Sequence, residues 1–207
     1  MFLVVLATWN GSVAIEDSCE ALGATIHGRS AGSFGMSGTF AFYPNKQITT
    51  GEGGAIVTND DHIAALARSW RNQGRGENAA WLQHERLGFN YRLSDLNCAL
   101  GTAQLSRLDE ILEKRALVAN TYTELLRSVP EIITPAEPVD GHTTSWFVYV
   151  VQLSSEFNRG QRNEILNTLR SMQIGCSDYF SPIHLQPYFQ NQFGYRRGDF
   201  PITENVS

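Results

Sequence analysis

Lysine is almost absent from this chain. Of its 16 basic residues, only Lys46 and Lys114 are lysines and the rest are arginines. Cysteine is scarce as well: Cys19, Cys98 and Cys176 are an odd number at wide spacing. They suit reduced cytoplasmic thiols better than a disulfide framework. Positive charge is in deficit, with 16 basic residues against 21 acidic ones and a net charge of −5. That argues against the clustered basic face that nucleic acid requires. No apolar run approaches the ~20 residues needed to span a bilayer. The longest, Phe2 to Ala7, lacks a basic leader and a cleavage site and reads as a buried strand. The five histidines, His27, His62, His84, His142 and His184, are scattered, and none stands at ligand spacing, so no metal site is expected. Glu16 and Asp17 are not a glycosidase pair, because adjacent strand residues point to opposite faces. There is neither an internal repeat nor a low-complexity segment.

What is present is an ordinary globular balance: 207 residues, 42% apolar and 18% charged. That is chain enough for a sizeable core. The first half reads as alternating short strands and helices, which favours an α/β sheet with covered faces. Strands are expected at Phe2–Thr8, near Val13–Ile15, at Gly38–Phe42 and at Ala55–Thr58. A short helical turn is expected at Ser18–Ala24, and a glycine-punctuated loop from Gly28 to Gly38. Asn59-Asp60 offers an N-cap for a helix over Asp61–Trp70. Arg71–Arg92 is loop-rich. Ser94-Asp95 then caps a long helix, with a possible break, running to Leu126. Pro130, Pro135 and Pro138 punctuate a linker. Trp146–Val151 reads as a strong strand and Arg159–Met172 as a strong helix, opening a smaller α+β domain. Both ends read as unfinished, and no final strand or helix is expected near Ser207.

The two lysines sit in different company. Lys114 lies among acids on an amphipathic helix and reads as part of a solvated face. Lys46 lies between aromatics and a glycine cluster, in TFAFYPNKQITTGEGGAIVTND. Twenty-nine residues before it, Asp17 ends a short apolar run. An amine and an acid so placed suit pyridoxal phosphate, which needs a lysine for its aldehyde and an acid to keep its pyridine nitrogen protonated. A partly apolar pocket would make the Lys46 amine nucleophilic. The strand end aims Asp17 into the site while Glu16 faces elsewhere. Spacing alone leaves two other readings open, Asp17 as a helix N-cap and Lys46 as a surface-loop lysine.

The fuller text is more specific. IEDSCEALGA, FAFYPNKQITTGEGGAIVTND and GFNYRLSDLNCALGTAQLSRLDEILEKR closely resemble the DegT/DnrJ/StrS sugar aminotransferases. The resemblance runs from about Val13 through SPIHLQPYFQNQFGYRRGDFPITEN. It implies the aspartate aminotransferase fold. Residues 1–128 would be a partial large, cofactor-binding domain with its connecting helix, and residues 129–207 a smaller, truncated α+β C-terminal domain. It also implies roles by position. Lys46 is the lysine that bonds the cofactor, and Asp17 pairs with its ring nitrogen. Glu20 lies near the cofactor's phenolic oxygen and the substrate. Asn90 reaches the cofactor phosphate of a neighbouring subunit, which implies a homodimer with shared sites. His184 falls in a segment near the substrate, although a packed or surface histidine is an equal reading. Ala41 stands where many members have a serine that touches the phosphate. GEGG at Gly51–Gly54 reads as a turn near the lysine and not as a replacement phosphate cradle.

The implied activity is transfer of an amino group from an amino acid, glutamate, to a nucleotide-linked keto-deoxysugar. Two alternatives stand beside it. A related sugar 3-dehydratase has histidine at the lysine position, which Lys46 argues against. A non-catalytic remnant is suggested by the lack, before the E-D block, of the family's Gly-Thr phosphate loop and stacking aromatic.

Overall fold

A computed structural model describes residues 13–78, 80, 81 and 83–206 of the protein. The strand expected at Phe2–Thr8 lies outside these residues. The chain forms two compact units. The first runs from the start of the described residues to Thr121 and takes in Glu137–Val148; the second comprises Tyr122–Ala136 and Tyr149 to the end of the described residues.

The first unit is built on a three-stranded sheet of β1 (Ile15–Asp17), β4 (Ser37–Ala41) and β5 (Gly54–Val57), in the order β1-β4-β5. β1 runs parallel to β4, with Asp17 opposite Thr39, and β4 runs antiparallel to β5. Strand alternation puts Glu16 on the face opposite Ile15 and Asp17. Glu16 is buried, at 1% exposure, and Asp17 is not. A carboxylate is tolerated there because its two oxygens accept hydrogen bonds from Gly32 N (2.8 Å) and Gly35 N (2.5 Å). Glu16 thus fixes the loop between β1 and β4. Glu16→Ala would strand two inward N–H groups and is expected to cost about 2–4 kcal/mol of stability. Urea unfolding of the wild type and the variant measures this, and equal midpoints would contradict it.

The expected helical turn at Ser18–Ala24 is instead a pair of reverse turns, with Ala21 N and Ala24 N donating to Ser18 O and Ala21 O. The glycine loop expected from Gly28 begins inside a hairpin of β2 (Thr25–Ile26) and β3 (Arg29–Ser30). Its two turn residues, His27 and Gly28, both have positive φ (48° and 77°). That is the backbone a two-residue hairpin needs to match strand twist.

Helices follow their local signals closely. α1 (Asp61–Arg71) starts at the Asp60 cap, whose side chain accepts from His62 N and Ile63 N. Ser94 caps α2 (Asp95–Leu105), and a break at Ser106-Arg107 separates it from α3 (Leu108–Leu126). Lys114 is exposed and pairs with Glu110 one turn earlier, the solvated face that the sequence suggested. Glu110, between Arg107 and Lys114, is held down to a pKa of about 2 by hydrogen bonds from both.

In the second unit, β6 (Ile132–Ile133) pairs antiparallel with β8 (Gln152–Leu153). β7 (His142–Thr143) belongs to the first unit, where it pairs with β2. The strong strand expected at Trp146–Val151 does not form. A strand exists only through its ladder, and here Trp146 takes a positive φ of 44° while the carbonyls of 146 and 147 bond to a side chain. α4 (Arg159–Ser171) opens on a capping box of Asn158 and Gln161. α5 (Pro187–Phe193) follows. Contrary to the expectation of an unstructured end, α6 (Pro201–Asn205) forms near the C-terminus. Proline at the first helical position supplies both starts.

Candidate active site

Lys46 rides on a loop that its own sequence closes. Phe42 N donates to Gly53 O (2.8 Å) and Thr50 N to Phe42 O (3.0 Å), pinching the base. Gly51 and Gly53 take φ of 81° and 155°, and a Cβ at Gly53 would meet Thr50 Oγ1 at 2.5 Å. The GEGG cluster therefore does the turning expected of it. At the tip, Lys46 N donates to Tyr43 O at 3.0 Å.

The amine itself is committed. Lys46 Nζ donates to Glu20 Oε1 at 3.1 Å and lies 4.2 Å from the centroid of the Phe147 ring. The lysine side chain is 13% exposed and that of Glu20 44%. An ammonium over a ring face gains from the ring quadrupole, and more so when partly desolvated. Asp17 faces the same amine electrostatically. Hydrogen bonds from the Cys19 side chain and backbone hold its carboxyl below the ordinary range, burial opposes this, and the Lys46 charge adds to the lowering. Lys46, Glu20 and Asp17 are thus brought together at the end of β1.

Around them the burial is polar. Gln47, Ser18 and Ser145 are buried with Ile48 and Phe147. Gln47 Nε2 donates to Glu20 O and to Ser145 Oγ, each at 2.8 Å. Gln47 Oε1 and Ser18 Oγ are buried without a hydrogen-bond partner, an uncommon state for such atoms. The Cys19 thiol is pushed up by burial and by the hydrogen bond to Asp17. Thiolate being the reactive form, Cys19 should alkylate with iodoacetamide at neutral pH at least about five-fold more slowly than free glutathione. An equal rate would contradict this.

Two further candidates lie elsewhere in the sequence. Asn90 is exposed and forms an isolated antiparallel bridge with Asn72, flanked by Phe89 and Tyr91, whose rings stack at 4.9 Å. His184 belongs to the second unit, where it is buried. Its Nε2 meets Glu204 Oε1 at 3.0 Å, and its ring packs 4.7 Å from that of Phe200. Burial pushes the Glu204 carboxyl up, but the N–H groups of Gly198 and Phe200 and the His184 side chain outweigh it and leave it lowered. In this chain His184 is therefore packed and paired.

Sequence reasoning missed Gln47, Arg115, Ser145 and Phe147. One signal was available. Arg115 falls four residues after Ile111 and four before buried Ala119, a charge on the apolar face of α3. An open cleft of about 410 Å3 is lined by Leu22, Ala31, Met36, Phe40, Val57 and Leu108 among others, and none of the candidate residues borders it. Among the described residues no cluster of metal-ligating side chains occurs, and no helix is long and apolar enough to cross a membrane.

The fold is α/β, of the aspartate aminotransferase type. The chain belongs to the DegT/DnrJ/EryC1/StrS aminotransferase family, whose pattern matches residues 3–207. It is 34% identical to the spore coat polysaccharide biosynthesis protein SpsC of Bacillus subtilis, over 98% of this chain and 54% of that protein. It is 37% identical to GDP-perosamine synthase of Caulobacter vibrioides, over 89% of this chain and 49% of that protein. Helicobacter pylori PseC, an aminotransferase involved in the biosynthesis of pseudoaminic acid, superposes with a TM-score of 0.84 at 25% identity, over 94% of this chain and 51% of PseC. The chain spans about half the length of the curated relatives it matches.

Proposed function

We propose that the protein is a pyridoxal-phosphate-dependent aminotransferase that moves an amino group from glutamate to a nucleotide-linked keto-deoxysugar, for polysaccharide biosynthesis in the cytoplasm. The observation that carries this reading is the Lys46 amine, held between Glu20 and the Phe147 ring within the field of Asp17. The donor set fits the cofactor: an amine for its aldehyde, and an ionised acid, kept so by Cys19, for its ring nitrogen. Ala41 offers no hydroxyl to the phosphate, so that contact falls to other groups. Pyridoxal phosphate, when bound, supplies an electron sink for a carbanion next to the amine carbon.

The chain's own residues do the rest. Lys46 Nζ would hold the cofactor and, as a free amine, would carry a proton to and from the substrate carbon. Glu20 Oε1 orients that amine and balances its positive charge. Asp17 would keep a proton on the ring nitrogen. Phe147 covers one side of the amine and excludes water from it. Asn90 and its exposed aromatic neighbours suit contact with a second copy of the chain, so the protein works as a homodimer whose sites draw on both subunits. Exposed Trp81, Leu87 and Leu96 nearby extend that apolar surface. His184, paired with Glu204, orders its own segment of the second unit.

The test is borohydride reduction of the full-length protein loaded with cofactor, followed by peptide mapping. Cofactor fixed on the peptide carrying Lys46 is expected. Cofactor on the Lys114 peptide alone, or on neither, would overturn the reading.

A further inference from the structure

We propose that Arg115 is the positioning residue of the lysine site: from α3 it ties the backbone of Lys46 to that of Trp146 and Phe147, and so holds the ring beneath the amine. The inference rests on the reading of Lys46 as the working amine. Arg115 Nη2 donates to Lys46 O at 3.0 Å, and Nη1 donates to Trp146 O at 3.0 Å and to Phe147 O at 3.1 Å. All three acceptors are main-chain carbonyls, and among the described residues no carboxylate forms an ion pair with this guanidinium.

That is a costly arrangement for mere packing. Burial pushes the Arg115 pKa down, the mark of a charge withdrawn from water without a counter-charge. An apolar side chain would fill the same face of α3 without that cost. A guanidinium differs in presenting several donors in one rigid plane, able to reach carbonyls of separate segments at once. The carbonyls it reaches belong to the residues that frame the amine.

The other partner of Lys46 is pinned in a parallel way. Gln47 Nε2 holds Glu20 O and Ser145 Oγ, so the backbone beneath the carboxylate and the stretch leading to Phe147 are tied to the lysine loop. Both groups that touch Lys46 Nζ are therefore set by side chains that do not touch it. Trp146 sits at a positive φ between these ties, a conformation that a non-glycine residue keeps only when its surroundings fix it.

The test uses lysine reactivity, which needs no cofactor. Cofactor-free full-length protein is labelled with trace acetic anhydride, and the Lys46 and Lys114 peptides are quantified by mass spectrometry. In the wild type the covered Lys46 labels slowly relative to exposed Lys114. Arg115→Gln, which loses the fork, should raise the Lys46-to-Lys114 ratio roughly three-fold or more while circular dichroism shows a folded protein. In the loaded enzyme the same variant should lose roughly ten-fold in kcat, with KM for glutamate nearly unchanged, because orientation and not binding has been lost. Phe147→Leu keeps all three carbonyls and removes the ring; it too should raise the ratio, and it decides the matter if Arg115→Gln fails to fold. A folded Arg115→Gln with a lower melting temperature and an unchanged ratio would overturn the proposal, as would an unchanged ratio in Phe147→Leu. A raised ratio with no cofactor trapped on Lys46 would defeat the functional reading and leave the positioning role standing.

Discussion

Lys46→Ala, in the full-length protein supplied with pyridoxal phosphate, is expected to lower amino transfer from glutamate by about 10³-fold or more. Two separate losses add up. On the reading proposed above, the variant would lack both the amine that would bond the cofactor and the base that would serve the reacting carbon. Glu20 cannot replace it, since it is tied through its backbone to Gln47 and reaches toward the lysine amine itself. The protein should stay folded with a modest loss of stability: the pair with the well-exposed Glu20 contributes about 0–1 kcal/mol, and the partly desolvated contact with the Phe147 ring about 0.5–2 kcal/mol. Single-turnover conversion of glutamate, read by the cofactor's absorbance, gives the rate, and thermal unfolding gives the stability. Near-normal transfer by a folded Lys46→Ala protein would remove Lys46 from the chemistry.

Asp17→Asn is expected to slow the same step by roughly 10²–10³-fold, again with the fold intact. The substitution keeps shape and removes charge, so it tests the carboxylate alone. Asp17 Oδ1 accepts a hydrogen bond from Cys19 N at 3.1 Å, and an amide oxygen can still accept that bond. What the amide cannot do is keep a proton on a neighbouring ring nitrogen. The sign of the pH effect follows from the lowered pKa of Asp17. A carboxyl whose folded value lies below its unfolded one stabilises the protein above the unfolded value, and that contribution is lost as pH falls through the folded value. The wild type should therefore keep the Asp17 charge at pH values where an ordinary aspartate is already protonated, and the rate difference between wild type and Asp17→Asn should persist into that range. A rate unaffected by the substitution would mean that Asp17 serves only the turn at Cys19.

The parts of the fold that rest on neighbours in sequence were legible without coordinates. α1 begins at the expected Asp60 cap, α4 covers Arg159–Ser171 where Arg159–Met172 was expected, and the helix expected from Ser94 to Leu126 carries a break, which the structure places at Ser106-Arg107. The lysine loop is of the same kind. Aromatic and β-branched residues run into β4, glycines with positive φ turn the chain, and Lys46 is left at the tip. Where a local signal needed a distant partner, it misled. Trp146–Val151 has the composition of a strand, but the carbonyls of 146 and 147 are taken by Arg115. Alternation also placed Glu16 and Asp17 on opposite faces without saying which face would be buried.

The sequence by itself determined the family and most of the helices, and it marked Lys46 and Asp17 as candidates, because caps, glycine turns and hydrophobic periods act over a few residues and leave their mark in the order of the chain. Only the tertiary structure decided what surrounds the amine. Ser145 meets Gln47 across 98 positions, and Arg115 meets Lys46 across 69. Residues 137–148 return to the first unit and bring Phe147 to the lysine. Such contacts are set by where the chain closes back on itself. Closing long loops costs entropy that grows only slowly with length, so the burial and hydrogen bonds at the destination, not the spacing, choose the partner.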